Sequence, residues 1–221
     1  MRILAAVAHP DDEVLGAGGA LARHANDGEE VHVLFLTDGV GARGSDKPAA
    51  DQRAAAARNA CTILGTQPPR FLGFVDNRLD EVPLLDVTQA IEAVIAELRP
   101  HTIYTHHSGD LNIDHVVCQR AVLTACRPMP GALVRRIFSF EVPSSTEWNV
   151  PGGMKFVPRR FMDIASTLAT KRRALEAYAE EMRPFPHSRS YEAVEALARW
   201  RGATVGLEAA EGFDVIREID D

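Results

Sequence analysis

Cysteine is scarce in these 221 residues: Cys61, Cys118 and Cys126 are the full set, and no CxxC pair occurs. That argues against a disulfide scaffold and against a structural zinc site closed by thiolates. The odd count, without a leader-like segment, reads as reduced thiols and a cytoplasmic protein. Long apolar runs are missing too. The N-terminal stretch MRILAAVAHP holds one basic residue and a short apolar run that acidic residues end at once. It is too short to span a bilayer, so no integral membrane segment is expected. Positive charge is in deficit. A formal net charge of −7 excludes a general nucleic-acid partner, which needs clustered Lys and Arg. Internal repeats and low-complexity tracts are also lacking.

What is present has the balance of a globular protein, with 46% apolar and 25% charged residues. The length fits a single domain over 1–221, with a core at 1–141 and a loop and helical elaboration at 142–221. Short apolar runs at Ile3–Ala8, Val31–Leu36, Arg70–Gly73, Thr102–Thr105 and Ile137–Phe140 read as strands covered on both faces. Between them, Glu13–Asn26, Ala49–Leu64, Leu84–Leu98 and His115–Cys126 carry apolar residues at helical spacing, and Ala165–Met182 and Tyr191–Trp200 follow as charged helices. The alternation predicts an α/β, Rossmann-like, doubly wound and mostly parallel sheet of about five or more strands, with helices on both faces and a helical C-terminal extension.

Ligands of such sheets bind beyond the carboxyl ends of the strands. Those positions hold His9-Pro10-Asp11-Asp12-Glu13, then Thr37-Asp38-Gly39, then His106 through His115, and then Glu141. His9–Glu13 taken alone also reads as a helix start, since Pro and acidic residues favour a first turn. The second cluster shifts the balance. His9 and Asp12 can converge across a tight strand-to-helix turn, and His115 can join them from another strand end. Two His and one carboxylate, with a position left for water, form the pattern of a catalytic zinc site. Asp114 and Asp110 are expected behind these ligands, Asp114 orienting an imidazole, although both types also serve turns and N-caps. Gly16-Ala17-Gly18-Gly19 faintly resembles a dinucleotide loop but comes a turn too late, after three acidic residues, and instead suggests close helix packing.

On these residues the chain resembles the PIG-L/LmbE-like N-acetylglucosaminyl deacetylase family. The carriers are Ala8-His9-Pro10-Asp11-Asp12-Glu13 after the first strand and Asp114-His115. Thr37-Asp38-Gly39, Arg53…Leu64-Gly65, Pro186-His187-Ser188-Arg189-Ser190 and Ala210-Glu211-Gly212-Phe213 add to the match. The resemblance implies one zinc or other divalent ion per chain on His9, Asp12 and His115, with Asp11 as general base. It further implies hydrolysis of an N-acyl amino sugar or sugar conjugate, and a homo-oligomer. Many members carry histidine where this chain has Asn112, and an amide can donate a hydrogen bond but cannot deliver a proton.

The resulting expectation assigns the oxyanion to Asn112 or His107 and the amine proton to Asp11 first, His107 second. Arg53 and Asp38 are expected to bind substrate, as are Glu141 and Trp148 in a polar stretch suited to a sugar face. His187 and Arg189 can reach either the pocket or a subunit contact. A metal-dependent phosphoesterase is the main rival, with Asp38, Asp110 and Asp114 available for a second ion. A sugar-binding or metal-sensing module without chemistry is the other.

Overall fold

The structure, a computed structural model, describes residues 1–40, 47–149 and 152–220. Five strands run parallel: β1 (Arg2–Val7), β2 (Glu30–Thr37), β3 (Arg70–Phe74), β4 (Thr102–His106) and β5 (Arg136–Phe140). The connecting helices are α1 (Asp12–Asn26), α2 (Lys47–Leu64), α3 (Leu84–Leu98) and α4 (Ile113–Ala125). Beyond β5 come β6 (Arg160–Asp163), α5 (Leu168–Glu176), α6 (Tyr191–Ala203) and β7 (Ala210–Glu218).

The strand order is β3-β2-β1-β4-β5-β7-β6, with β7 antiparallel to both neighbours. Alternation along β1 divides the core. Ile3, Ala5 and Val7 pack with α1, α2, α5 and α6, whereas Leu4 and Ala6 pack with α3 and α4. Both faces are thus covered, which is why these strands read as unbroken apolar runs. The connections diverge between β1 and β4, and the crevice beyond their carboxyl ends is the switch point where open sheets bind ligands.

The C-terminal third departs from the sequence expectation. It adds two strands to the sheet rather than helices alone. Arg160–Asp163 is a four-residue edge strand, and Ala210–Glu218 mixes charged with apolar residues, so neither shows the continuous apolar run of the parallel strands. The predicted helix Ala165–Met182 is shorter, Leu168–Glu176, and turns follow it.

The glycines of α1 serve packing. A Cβ on Gly16 would lie 2.1 Å from the Phe140 ring, and one on Gly19 would lie 2.8 Å from Ile164. The same stretch is clasped from the C-terminal third. Glu211 accepts the Gly19 and Ala20 N–H groups (2.9 and 2.7 Å) and pairs with Lys171 (2.6 Å). Lys171 Nζ also donates to the Leu15 carbonyl at 2.9 Å. Among the described residues, no helix is long and apolar enough to cross a membrane.

Candidate metal centre and catalytic cleft

At the end of β1 the chain turns sharply into α1. Asp11 is the N-cap, at φ 125° and ψ −29°, a conformation that side chains beyond glycine rarely adopt. Such strain costs about 1–3 kcal/mol and persists where surroundings enforce it. The turn sets His9 and Asp12 side by side, and the β4–α4 connection brings His115 to them. His9 Nδ1 lies 3.2 Å from Asp12 Oδ2 and 3.2 Å from His115 Nε2, and His115 Nε2 lies 3.2 Å from the same Asp12 oxygen. Corners of a tetrahedral site with metal–ligand bonds of about 2.0–2.1 Å stand about 3.3–3.4 Å apart, so a zinc-sized ion fits the triangle. Among the described residues, the other oxygen of this carboxylate, Asp12 Oδ1, is buried without a hydrogen-bond partner, which fits a group shaped for a cation rather than for protein donors.

Carboxylates surround both imidazoles. Asp114 Oδ2 and Asp76 Oδ1 each lie 3.1 Å from His9 Nε2, and Asp110 Oδ1 lies 3.1 Å from His115 Nδ1. Burial alone would lower the pKa of His115, but Asp12 and Asp110 override it and hold the imidazole up to about 9. Burial likewise opposes charge on His9, and Asp114, Asp12 and Asp76 raise it well above its ordinary value. Four carboxylates against two imidazoles make a site that favours a cation. His9, Asp76 and Asp114 form a second triangle of ligand-type atoms. Both triangles cannot be filled through a neutral His9, which has a single lone pair to give. Asp114 is further engaged, accepting the Asn77 and Leu79 N–H groups at 2.7 and 2.9 Å.

Asp11 stands beside the triangle of His9, Asp12 and His115 and lines a cleft of about 120 Å³ together with His9, Arg53, Asp76, Asn77, Asn112, Glu181 and Arg189. Burial pushes its carboxyl up to about 6, against the pull of Arg189 and Arg53. Arg189 Nη1 donates to Asp11 Oδ2 at 2.9 Å, while its Nε donates to Ser144 Oγ at 2.6 Å. Arg53 pairs with Glu181 and donates to the Pro10 carbonyl at 3.3 Å. Asn112 caps α4, accepting the Asp114 N–H at 2.8 Å, and points its Nδ2 to Asn77 Oδ1 at 3.3 Å.

Other predicted residues lie elsewhere. Glu141 faces away from the cleft, in a two-pronged ion pair with Arg201 at 2.7 Å. His107 is buried against the Met154 carbonyl (3.2 Å) and the edge of Phe156, outside the cleft lining. Asp38 closes its own turn by accepting the Val40 N–H at 3.1 Å, and it is Gly39 that lines the cleft. Trp148, 51% exposed, meets His187 edge to face at 5.6 Å, and Arg189 N–H donates to His187 Nδ1 at 3.0 Å. This pair therefore neighbours the residue that holds Asp11.

Asp76, Asn77 and Glu181 escaped sequence reasoning, which places His106 at the rim after the fourth predicted strand but gives it no role. Asp76 and Asn77 come one residue after the end of β3, past Val75, so the rim rule would have found them had that weak strand been treated like the others. His106 stacks on His115 at 3.9 Å between centroids and accepts the Ala8 N–H at 2.9 Å. Burial keeps it neutral, with its pKa down at about 3. Glu181 follows the shortened α5, and no local pattern announces it.

Residues 4–126 match the profile of a family described as PIG-L, GlcNAc-PI de-N-acetylase. The uncharacterized deacetylase YaiS of Escherichia coli strain K12 is 33% identical over 167 residues, which are 73% of this chain and 81% of that protein. A 1D-myo-inositol 2-acetamido-2-deoxy-alpha-D-glucopyranoside deacetylase of Rhodococcus opacus strain B4 is 29% identical, with 86% and 85% of the two chains covered. Among solved structures, GalB, the 4-carboxy-2-hydroxymuconate hydratase of Pseudomonas putida KT2440, superposes with a TM-score of 0.81 at 23% identity, covering 100% of this chain and 98% of that one. The last likeness concerns the fold alone.

Proposed function

Because the chain belongs to the PIG-L family, we propose that it is a zinc-dependent N-deacetylase, hydrolysing the amide of an N-acylated amino sugar or sugar conjugate. The observation that carries this reading is the pairing of an ion-sized triangle, His9, Asp12 and His115, with a separate carboxylate, Asp11, that lines the adjoining cleft. A divalent ion held by those three residues supplies Lewis acidity for the amide carbonyl and lowers the pKa of water from about 15.7 toward about 7.

The chain's own groups do the rest. Arg189 holds Asp11 Oδ2, which leaves Oδ1 to take the proton of the attacking water. Water oxygen adds to the acyl carbon, and the carbon–nitrogen bond then breaks. The proton stored on Asp11 passes to the departing amine, since Asn112 cannot supply one. Asn112 lines the cleft wall, and the second N–H of its Nδ2, beyond the one given to Asn77, would donate to the developing oxyanion. Arg53 and Asp76 offer a donor and an acceptor for sugar hydroxyls, and Trp148 with His187 offers a ring surface at the rim. Buried, unpaired Cys61, Cys118 and Cys126 fit a reducing cytoplasm. A homo-oligomer would use the C-terminal helices, where Trp200 is 64% exposed, and sedimentation of the parent beside Trp200→Glu reads the state and whether this face carries it.

An amine-release screen over N-acetylated sugars and sugar conjugates, with zinc added or chelated, tests the reading. Release that needs the metal is expected. In Asp11→Asn, metal content should persist while turnover falls about 10²–10⁴-fold. Near-parental turnover in that variant would remove Asp11 as the base. Two ions per chain by elemental analysis would favour the phosphoesterase rival.

A further inference from the structure

Glu13 raises a problem that the reaction chemistry leaves unanswered. Its side chain is fully buried, next to Asp11 and Asp12, and forms no ion pair among the described residues. An acidic residue in a first helical turn ordinarily complements the helix end from a solvated position. Here the carboxylate turns back instead. Glu13 Oε2 accepts the Asp11 N–H at 3.0 Å, and Oε1 accepts the hydroxyl of Tyr178 at 2.8 Å. Tyr178 lies just past α5, with 2% of its surface exposed.

The arrangement is similar to half of a capping box, with the returning acid two residues past the N-cap instead of three. In the full motif the N-cap side chain bonds forward to the helix, while an acidic side chain reaches back to the N-cap N–H. In this chain only the returning half exists, because Asp11 is the N-cap and its side chain makes no cap hydrogen bond. Releasing that side chain is what allows it to face the cleft and Arg189. The cost is a backbone at φ 125°, which requires an outside anchor.

We propose that Glu13 and Tyr178 are positioning residues for Asp11: the Tyr178 hydroxyl fixes the Glu13 side chain, and Glu13 holds the Asp11 main chain in the conformation that aims its carboxylate at the reacting water. The role calls for an acceptor toward Asp11 and a hydrogen-bond partner toward Tyr178, and it does not call for charge. A glutamine meets both needs, with its oxygen taking the Asp11 N–H and its amide donating to Tyr178 Oη. A residue that moved protons or supplied charge could not be replaced in this way.

The kinetic arm of the test rests on the deacetylase reading above, and a second arm does not. Tyr178→Phe should lower kcat roughly tenfold while KM and metal content stay at parental values. Glu13→Gln should keep kcat within about threefold, and Glu13→Leu should lose more than Tyr178→Phe does. The exchange of the Asp11 backbone amide with deuterium, read by NMR, should be slow in the parent and in Glu13→Gln and fast in Glu13→Leu. Parental kcat in Tyr178→Phe would overturn the proposal. So would a Glu13→Gln as impaired as Glu13→Leu, since charge would then be the need. If Glu13→Leu fails to fold, Tyr178→Phe and Glu13→Gln still decide. If the parent releases no amine from any substrate, the deacetylase reading falls and the amide exchange alone judges the anchor.

Discussion

As the proposed base, Asp11 carries two demands at once: it must be ionised to accept a proton, and it sits where burial favours the neutral acid. Burial wins part of that contest and leaves the group at about 6, with Arg189 and Arg53 pulling downward. A base works only when deprotonated, so kcat/KM should fall as pH drops through this value in the absence of other shifts. A bound cation beside Asp11 would move that limb lower. Arg189→Gln removes the guanidinium that holds the carboxylate ionised, so the limb should move to higher pH. A pH–rate profile of the variant against the parent reads the displacement. A limb that stays in place, or moves to lower pH, would mean that Arg189 does not set the acidity of Asp11.

At the scale of elements, the telling feature is α1, which supplies Asp12 to the proposed metal triangle and is supported along its middle by β7 and the start of α5. The Lys171–Glu211 pair is nearly inaccessible, with side-chain exposures of 5% and 4%, and each partner also serves α1 backbone groups. Breaking a buried pair strands a charge, which typically costs about 3–5 kcal/mol. Lys171→Met should therefore lower stability by that order in chemical denaturation, which also reports any loss of cooperativity. A Lys171→Met/Glu211→Met double variant should recover little, because the Gly19 and Ala20 N–H groups would lose their acceptor. Recovery to parental stability would show that those N–H groups find other partners.

For the whole molecule, the proposed metal should link the two halves of the sheet, since its proposed ligands follow β1 and β4, at the starts of α1 and α4. An ion that binds only the folded state adds about 2.7 kcal/mol at a concentration 100 times its Kd. In a chain of this size about 1 kcal/mol moves Tm by roughly 2–4 °C, so chelation should lower Tm by roughly 5–10 °C. Calorimetry with and without chelator gives the number. An unchanged Tm would mean that no ion contributes to the fold. Binding of the proposed ion should also release protons, because the carboxylate neighbours of His9 and His115 favour their protonated forms.

Legibility from sequence followed the range of the interactions. The parallel sheet was readable because strands covered on both faces must be apolar throughout, and His9, Asp12 and His115 stood out because strand ends at the switch point are short and dense in ligand types. Asp114 was legible as a neighbour of His115, yet its grip on Asn77 and Leu79 was not. Tertiary structure alone decided the rest. It brought Arg189, Glu181 and Tyr178 from the last third of the chain to the first turn of α1, and it turned Glu141 away to Arg201. Such pairings leave no period in the sequence, because partners far apart along the chain are matched by packing and charge rather than by spacing. The local chain therefore dictates which groups can do chemistry, and the fold dictates which of them share a cleft.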